Sequence, residues 1–435
     1  MISRLPLFPP GSEVSSGGHL VIGGCDTVQL AAEFGTPLYL FDEAALRAKC
    51  REFRDEFGRR YGDVDVAYSC KAFINSSLLR LVMEEGIGLD VVSGGELGIA
   101  RSVGFPMDRV YFAGNNKSAE EIWLALESRI HRLVVDNFHE LGMLGKIARE
   151  VKHVPDILLR LTPGVDPHTH RYMTTGEVDS KFGIPLAQGE KAIVAAMSMP
   201  EVNLVGLHFH IGSLISEVEP YRESVRAILG LAADMKRKNG FELHELDVGG
   251  GFGVQYGVES PVPPISEFAG AIASAVTDGC RELVLEPPRL VLEPGRSVVA
   301  RAGVALYTAG VVKDIPNVRR YVSVDGGMGD NIRPALYGAK PEAVVANRMR
   351  EAEAGKVTIA GKFCESGDIL IWDIGLPAVG PGDIIAVAGC GAYCIPESMN
   401  YNASFRPAVI MVRDGKARLI RRRETLEDLM RCDVD

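Results

Sequence analysis

The sequence is short of positive charge: its 435 residues carry 47 Lys and Arg against 57 Asp and Glu, a net charge of −10. A nucleic-acid-binding face needs clustered basic residues, so that class is excluded, and the acidic balance speaks for solubility. No apolar run reaches the eighteen or so residues that a membrane-spanning helix requires. The amino terminus, Met1-Ile2-Ser3-Arg4-Leu5-Pro6, lacks the apolar core of a signal peptide, and a cytoplasmic location is expected. Cysteine is sparse, with eight residues scattered without paired spacing. Cys390 and Cys394 are spaced wrongly for a CxxC redox or zinc pair, so reduced thiols are expected. His168 and His170 flank Thr169 in a polar stretch that reads as a surface loop, and no metal site is expected. A GxGxxG fingerprint after the first strand is missing, which argues against an open doubly wound sheet. Solenoid repeats and low-complexity segments are also absent.

What is present is 46% hydrophobic and 24% charged, enough for a sizeable core. The middle of the chain alternates strand-like and helix-like segments. Candidate strands end at Lys71, Asp90, Ala113-Gly114, Asp136, Leu161-Thr162, His210, Val248 and Leu292. Amphipathic stretches of helical period lie between most of them: Ser76 to Glu85, Glu96 to Val103, Ala119 to Ser128, Phe138 to Val151 and Pro220 to Lys238. Eight such units in one span predict a (β/α)₈ TIM-like barrel over residues 41–300. After Arg296 the segments are short, β-rich and punctuated by Gly and Pro, from Val304–Val312 to Ala417–Arg421, which predicts an antiparallel β-domain. Leu20-Val21-Ile22 and Leu38-Tyr39-Leu40 also read as strands. A lone hairpin is marginal, so residues 1–40 are expected to join residues 301–435 in a second, all-β domain of sandwich or Greek-key type. The fold class is thus α/β plus all-β.

Polar residues gather where strands end, the position of catalytic groups in such barrels. Lys71 follows the strand Val64 to Ser69. Alone it reads as an ordinary strand-end lysine that snorkels to water; buried, its neutral amine would condense with an aldehyde. Strand two gives Asp90, strand six His208, His210 and Ser213, strand seven Gly249-Gly250-Gly251, and strand eight Glu293, Gly295 and Arg296. Three successive glycines carry an entropy cost that close approach of a ligand, with N–H groups cradling a phosphate, would offset. Glu293 and Arg296 read either as a structural pair or as a carboxylate for a ring nitrogen beside an arginine for an anion. His208 and His210 project to one strand face. His208 reads as a satisfied core histidine, and His210, nearer the strand end, as a residue able to stack on a planar ring.

Taken together, YSCKA, GLDVVSGGE, SKFGI (Ser180 to Ile184), GLHFHIGS, DVGGGFG, LEPGR, VDGGMGDNIRPALY, CESGD and GAY resemble the alanine-racemase-like, fold-type III pyridoxal-phosphate decarboxylases, and within them the branch that acts on meso-diaminopimelate. The likeness runs from Thr36 to Thr425. It implies pyridoxal 5′-phosphate as cofactor and decarboxylation of meso-2,6-diaminopimelate to L-lysine, the last step of lysine biosynthesis. It also implies Lys71 as the cofactor-bearing lysine and His210 as the residue stacked on the ring. Asp90, Ser213, Gly249, Gly250, Gly251, Gly295 and Arg296 belong to the cofactor shell, and Glu293 is the partner of the ring nitrogen. Racemases of the same fold have a cation in that place, so a carboxylate there favours decarboxylation.

Arg333 and Tyr337 match a grip on the substrate carboxylate, with Arg296 beside them. Tyr393 matches a residue touching both phosphate and substrate. Cys364 and Glu365 match a pair that a second protomer contributes, Cys364 as the proton donor and Glu365 as the reader of the distal amine, so a homodimer with shared sites is implied. Phe73 and Leu214 depart from the family's usual asparagine and glutamine. Two alternatives stay open: a decarboxylase of ornithine, arginine or carboxynorspermidine, and a catalytically inactive regulatory homologue.

Overall fold

A computed structural model describes residues 1–166, 179–258 and 261–434; His168 and His170 lie outside the described residues. The chain divides into two compact units, one of Lys49–Gly253 with Val262–Ser297, the other of Met1–Ala48, Val254–Pro261 and Val298–Asp435.

The first unit is the expected barrel. Its strands run Val64–Ser69, Gly88–Val91, Val110–Phe112, Arg132–Val135, Asp156–Thr162, Asn203–His208, Glu245–Asp247 and Arg289–Leu292. All pair in parallel with their neighbours, and Leu290 to Leu292 beside Val64 to Val66 closes the ring. The strands are short apolar runs because both faces are covered, which removes the alternation of a half-exposed sheet. Inside, Ala67, Tyr111, Val134, Leu158, Val205 and Val291 belong to one packed cluster. His210 lies two residues past its strand, and Lys71 sits in a single 3₁₀ turn, Cys70–Ala72.

Four successive helices begin on a side-chain cap. Asn75, Ser93, Ser118 and Asn137 each accept the N–H three residues on, opening Ser76–Glu84, Gly94–Ser102, Ala119–Glu127 and Phe138–Val151. Such caps satisfy donors that a helix start leaves orphaned, and they fix where each strand-to-helix loop ends. Beside the fourth strand, Lys117 and Glu140 are both buried. The Lys117 Nζ donates to Glu140 Oε1 at 2.7 Å and to the carbonyls of Gly114 and Val134.

The second unit is a mixed sheet. Its spine, Gly303–Ile315, pairs antiparallel with Leu38–Asp42, Arg319–Val324 and Ile384–Val387. Two ladders are parallel instead: Leu38–Asp42 with Ala408–Arg413, and Arg319–Val324 with Gly355–Ala360. The antiparallel expectation is corrected there. Hairpins force antiparallel pairing, but these partners are joined by long connections, which leave strand direction open. Where a hairpin does occur, between Ala408–Arg413 and Lys416–Arg421, Asp414 and Gly415 have φ of 51° and 73°, the form that matches strand twist. Leu20, Ile22, Leu38 and Leu40 pack in one core with Val304, Leu306, Ile384 and Ile410, so the amino-terminal segment does belong to this unit. Among the described residues no helix is long and apolar enough to cross a membrane.

Breaking a buried ion pair strands one charge. Lys117→Met is expected to destabilise the protein by about 3–5 kcal/mol, whereas Lys117→Met with Glu140→Leu should recover most of that. Urea unfolding followed by circular dichroism measures both; equal losses would contradict the pairing.

Candidate active site

Within the barrel unit, strand register brings the polar strand-end residues together. Ser69 faces Asp90 across the first two strands, and its hydroxyl donates to Asp90 Oδ2 at 2.6 Å. The same oxygen lies 3.4 Å from Lys71 Nζ. His208 is flanked in register by Arg160 on one side and Asp247 on the other. Its Nε2 lies 3.3 Å from Glu293 Oε2; with Glu293 ionised that nitrogen is the donor, because a carboxylate only accepts. Glu293 Oε1, Asp247 Oδ2, Asp90 Oδ1 and His208 Nδ1 are buried with no hydrogen-bond partner among the described residues.

Electrostatics separate these acids. Burial raises Asp247 well above the usual carboxylate range, with the Glu293 charge adding to it. Burial and Glu293 also raise Asp90, against the pull of Lys71. Burial pushes on Glu293 too, but the His208 imidazole touching it, helped by Lys71 and His210, holds its carboxyl below the usual range. Close buried carboxylates cannot all ionise cheaply, so one charge is favoured over the others.

His210 Nδ1 accepts the Gly250 N–H at 3.2 Å, which fixes the ring as neutral with its hydrogen on Nε2. Burial and the Lys71 charge push its pKa well down, in agreement. Arg296 Nε donates to Ser213 Oγ at 3.1 Å. The three glycines do more structural work than their sequence suggests. The Gly249 N–H goes to Asp247 Oδ1 and the Gly250 N–H to His210, so neither is open to a ligand. A Cβ on Gly250 would stand 2.1 Å from the Glu293 carbonyl oxygen, so this turn must be glycine for the strand ends to meet. A Cβ on Gly295 would stand 3.0 Å from Ser69, a tight contact that a small shift would relieve.

The second unit gathers a different set. The Arg333 guanidinium lies over the Tyr337 ring at 4.7 Å and the Tyr393 ring at 5.4 Å, with Glu397 Oε2 3.8 Å from its Nη1. Tyr393 takes a left-handed φ of 65°. Cys364 and Glu365 stand exposed on a turn that the buried Asp368 carboxylate pins by accepting the N–H groups of Met328 and Phe363. Asn402 accepts the Cys364 N–H at 2.9 Å.

The sequence reading takes His208 as a core residue, gives Asp247 and Glu96 no role although their motifs end strands seven and two, and does not single out Arg160 or Glu397. Arg160 had a signal, a charge inside the apolar run Ile157-Leu158-Leu159-Arg160-Leu161. Glu397 had none, because its place beside Arg333 is a matter of loop folding.

Comparison with known proteins finds relatives along nearly the whole chain. Residues 43–300 match the family described as pyridoxal-dependent decarboxylase, pyridoxal binding domain. The diaminopimelate decarboxylase of Bacillus subtilis (strain 168) is 46% identical, covering 97% of both chains. That of Mycobacterium tuberculosis (strain ATCC 25618 / H37Rv) is 40% identical over 98% of both. The crystal structure of diaminopimelate decarboxylase from M. jannaschii in co-complex with L-lysine superposes with a TM-score of 0.91 at 35% identity, covering 98% of both chains.

Glu96 allows a test of the buried electrostatics. Its Oε2 accepts the Val92 N–H, and burial pushes its pKa up to about 7. A raised carboxyl favours the protonated fold, so its contribution is complete below the unfolded value of 4.5 and is lost as pH rises through about 7. Glu96→Gln is expected to flatten the fall in stability across that window, by roughly 1–3 kcal/mol. Urea midpoints at a series of pH values check it; an unchanged slope would refute the assignment.

Proposed function

This chain belongs to the pyridoxal-dependent decarboxylases, and from that premise we propose that it removes CO₂ from meso-2,6-diaminopimelate to leave L-lysine. The observation that carries this reading is Glu293, a buried carboxylate at the barrel mouth, touched by His208 at one oxygen and with the other lacking a hydrogen-bond partner among the described residues. A buried acceptor without a donor fits a protonated ring nitrogen. The Lys71 amine fits an aldehyde, and the Arg296–Ser213 pair fits a phosphate. The donor set therefore suits pyridoxal 5′-phosphate. Lys71, Asp90, His210, Ser213, Glu293 and Arg296 would hold it, with Gly249, Gly250, Gly251 and Gly295 shaping its bed. When bound, it supplies an aldehyde for the substrate amine and a ring that accepts the electrons left behind by CO₂.

The chain's own residues do the rest. Asp90, beside Lys71 Nζ, can hold the proton that the amine gives up on becoming nucleophilic. Glu293 keeps a positive ring nitrogen favourable, which a cation in that place would not. Arg333, steadied by the faces of Tyr337 and Tyr393, grips the distal carboxylate with a planar fork. Arg296 assists at the near end. Glu365 reads the distal amine. Fixing the scissile bond in one orientation is worth several kcal/mol, at most roughly 7–11. Cys364 returns a proton to the substrate carbon from its Sγ, a step worth roughly 10²–10⁴-fold. Cys364 and Glu365 stand exposed on their turn, accessible to a second copy, and we infer a cytoplasmic homodimer whose sites each draw this pair from the partner.

The panel that tests substrate choice is CO₂ release from diaminopimelate, ornithine, arginine and carboxynorspermidine, with and without the cofactor. Diaminopimelate is expected to lead, and Arg333→Met should cut its kcat/KM by about a hundredfold or more while leaving the ornithine rate unimproved. Faster turnover of ornithine by the wild type would sink the proposal, and no turnover at all would favour a regulatory homologue.

Shared sites make a second prediction. Mixing Lys71→Ala chains with Cys364→Ala chains should restore roughly a quarter of wild-type activity, because random pairing gives half heterodimers with one intact site of two. Confirmed subunit exchange without recovery would rule out sharing.

A further inference from the structure

We propose that His208 is a positioning residue for this reaction: by donating its Nε2–H to Glu293 Oε2 it selects Glu293 as the ionised acid of the buried cluster and leaves Oε1 for the cofactor's ring nitrogen. The inference rests on the assignment of Glu293 made above and goes beyond it, because it says what makes that carboxylate fit for the role.

The geometry allows only a few arrangements. One ring nitrogen of His208 and one carboxylate oxygen each of Asp247 and Glu293 lie within 4.8 Å of one another, and all three side chains are buried. Two carboxyls in that space cannot both be charged without large cost, so the nearby donor decides which one is. The donor is the imidazole, and its hydrogen bond goes to Glu293. Asp247 has the weaker claim, since its Oδ1 takes the neutral Gly249 N–H and its Oδ2 has no hydrogen-bond partner among the described residues. The directions follow this division, with Glu293 below and Asp247 above the carboxylate range.

Strand register sets the histidine's place: His208 stands level with Asp247 and Arg160, one strand away from each. The other charged or titratable groups acting on the cluster are Lys71, Asp90, Arg160, Glu245 and His210. His208 ties down Glu293 Oε2, and Glu293 Oε1 has no hydrogen-bond partner among the described residues. A carboxylate tied at one oxygen presents the other in a fixed direction; untied, it could rotate or take up the proton shared with Asp247.

The test uses holoenzyme in five forms: wild type, His208→Leu, His208→Gln, Glu293→Gln, and His208→Leu with Glu293→Gln. Cofactor affinity is read by equilibrium dialysis, and ring protonation by the pH midpoint of the bound cofactor's visible absorption band. His208→Leu is expected to weaken cofactor binding about tenfold and to move the midpoint by about one pH unit. His208→Gln keeps an N–H donor and should stay near wild type. In the Glu293→Gln background, His208→Leu should add nothing. Wild-type affinity and midpoint in His208→Leu, or its full effect persisting in the Glu293→Gln background, would overturn the proposal. Unchanged behaviour of Glu293→Gln by itself would overturn the assignment of Glu293 and this inference with it, whereas a Glu293→Gln effect without a His208→Leu effect removes only the role of His208. Should His208→Leu fail to fold, ¹⁵N spectra of histidine-labelled wild-type holoenzyme decide the matter. A protonated Nε2 that responds to Glu293→Gln supports the proposal, and a bare Nε2 defeats it.

Discussion

Seven ionisable side chains, Lys71, Asp90, Arg160, His208, His210, Asp247 and Glu293, share the inside of one barrel, and burial makes the charge of each depend on the others. Three are acids. Taken out of water singly, each would keep its proton. The hydrogen bond from His208 to Glu293 breaks that equality and makes Glu293 the readiest of the three to give up its proton. Asp90, tied to Ser69 and next to Lys71, and Asp247, tied to a backbone N–H, keep their protons more tightly. The rest of the barrel mouth can be read as support for that division. Parallel strands bring every carboxyl end to the same rim, and the glycines after the seventh strand let the rim close around Glu293 without a Cβ in the way.

The second unit solves a different problem. An arginine that keeps its N–H donors available must be held still without being neutralised. Arg333 lies over two aromatic faces, which attract its charge but use none of its N–H donors, and Glu397 stands at the edge of contact, at 3.8 Å. The Cys364 turn is held by its backbone, through Asp368 and Asn402, so the thiol and the Glu365 carboxylate remain outward. In both places main-chain and aromatic contacts fix position, and reactive atoms are left for chemistry.

Much of this was legible in the sequence, for reasons that can be named. Eight apolar runs with polar residues at their ends, separated by stretches of helical period, specify a parallel barrel, because buried parallel strands need nothing else. Lys71, Glu293 and Arg296 could be picked out since each stands just past the end of such a run. The parallel ladders of the second unit were not legible. Leu38–Asp42 and Ala408–Arg413 lie at opposite ends of the chain, and no turn between them sets a direction.

By itself, then, the amino-acid order determined which residues form the strands, where helices start, and which side chains stand at the strand ends, since periodicity and caps act over a few residues. Tertiary structure alone decided how those side chains divide their charges. His208 became a donor to Glu293, Gly249 and Gly250 gave their N–H groups to Asp247 and His210, and Arg160 and Asp247 came level with His208. Each of these depends on register between strands far apart in sequence and on burial, and neither is written in any one segment.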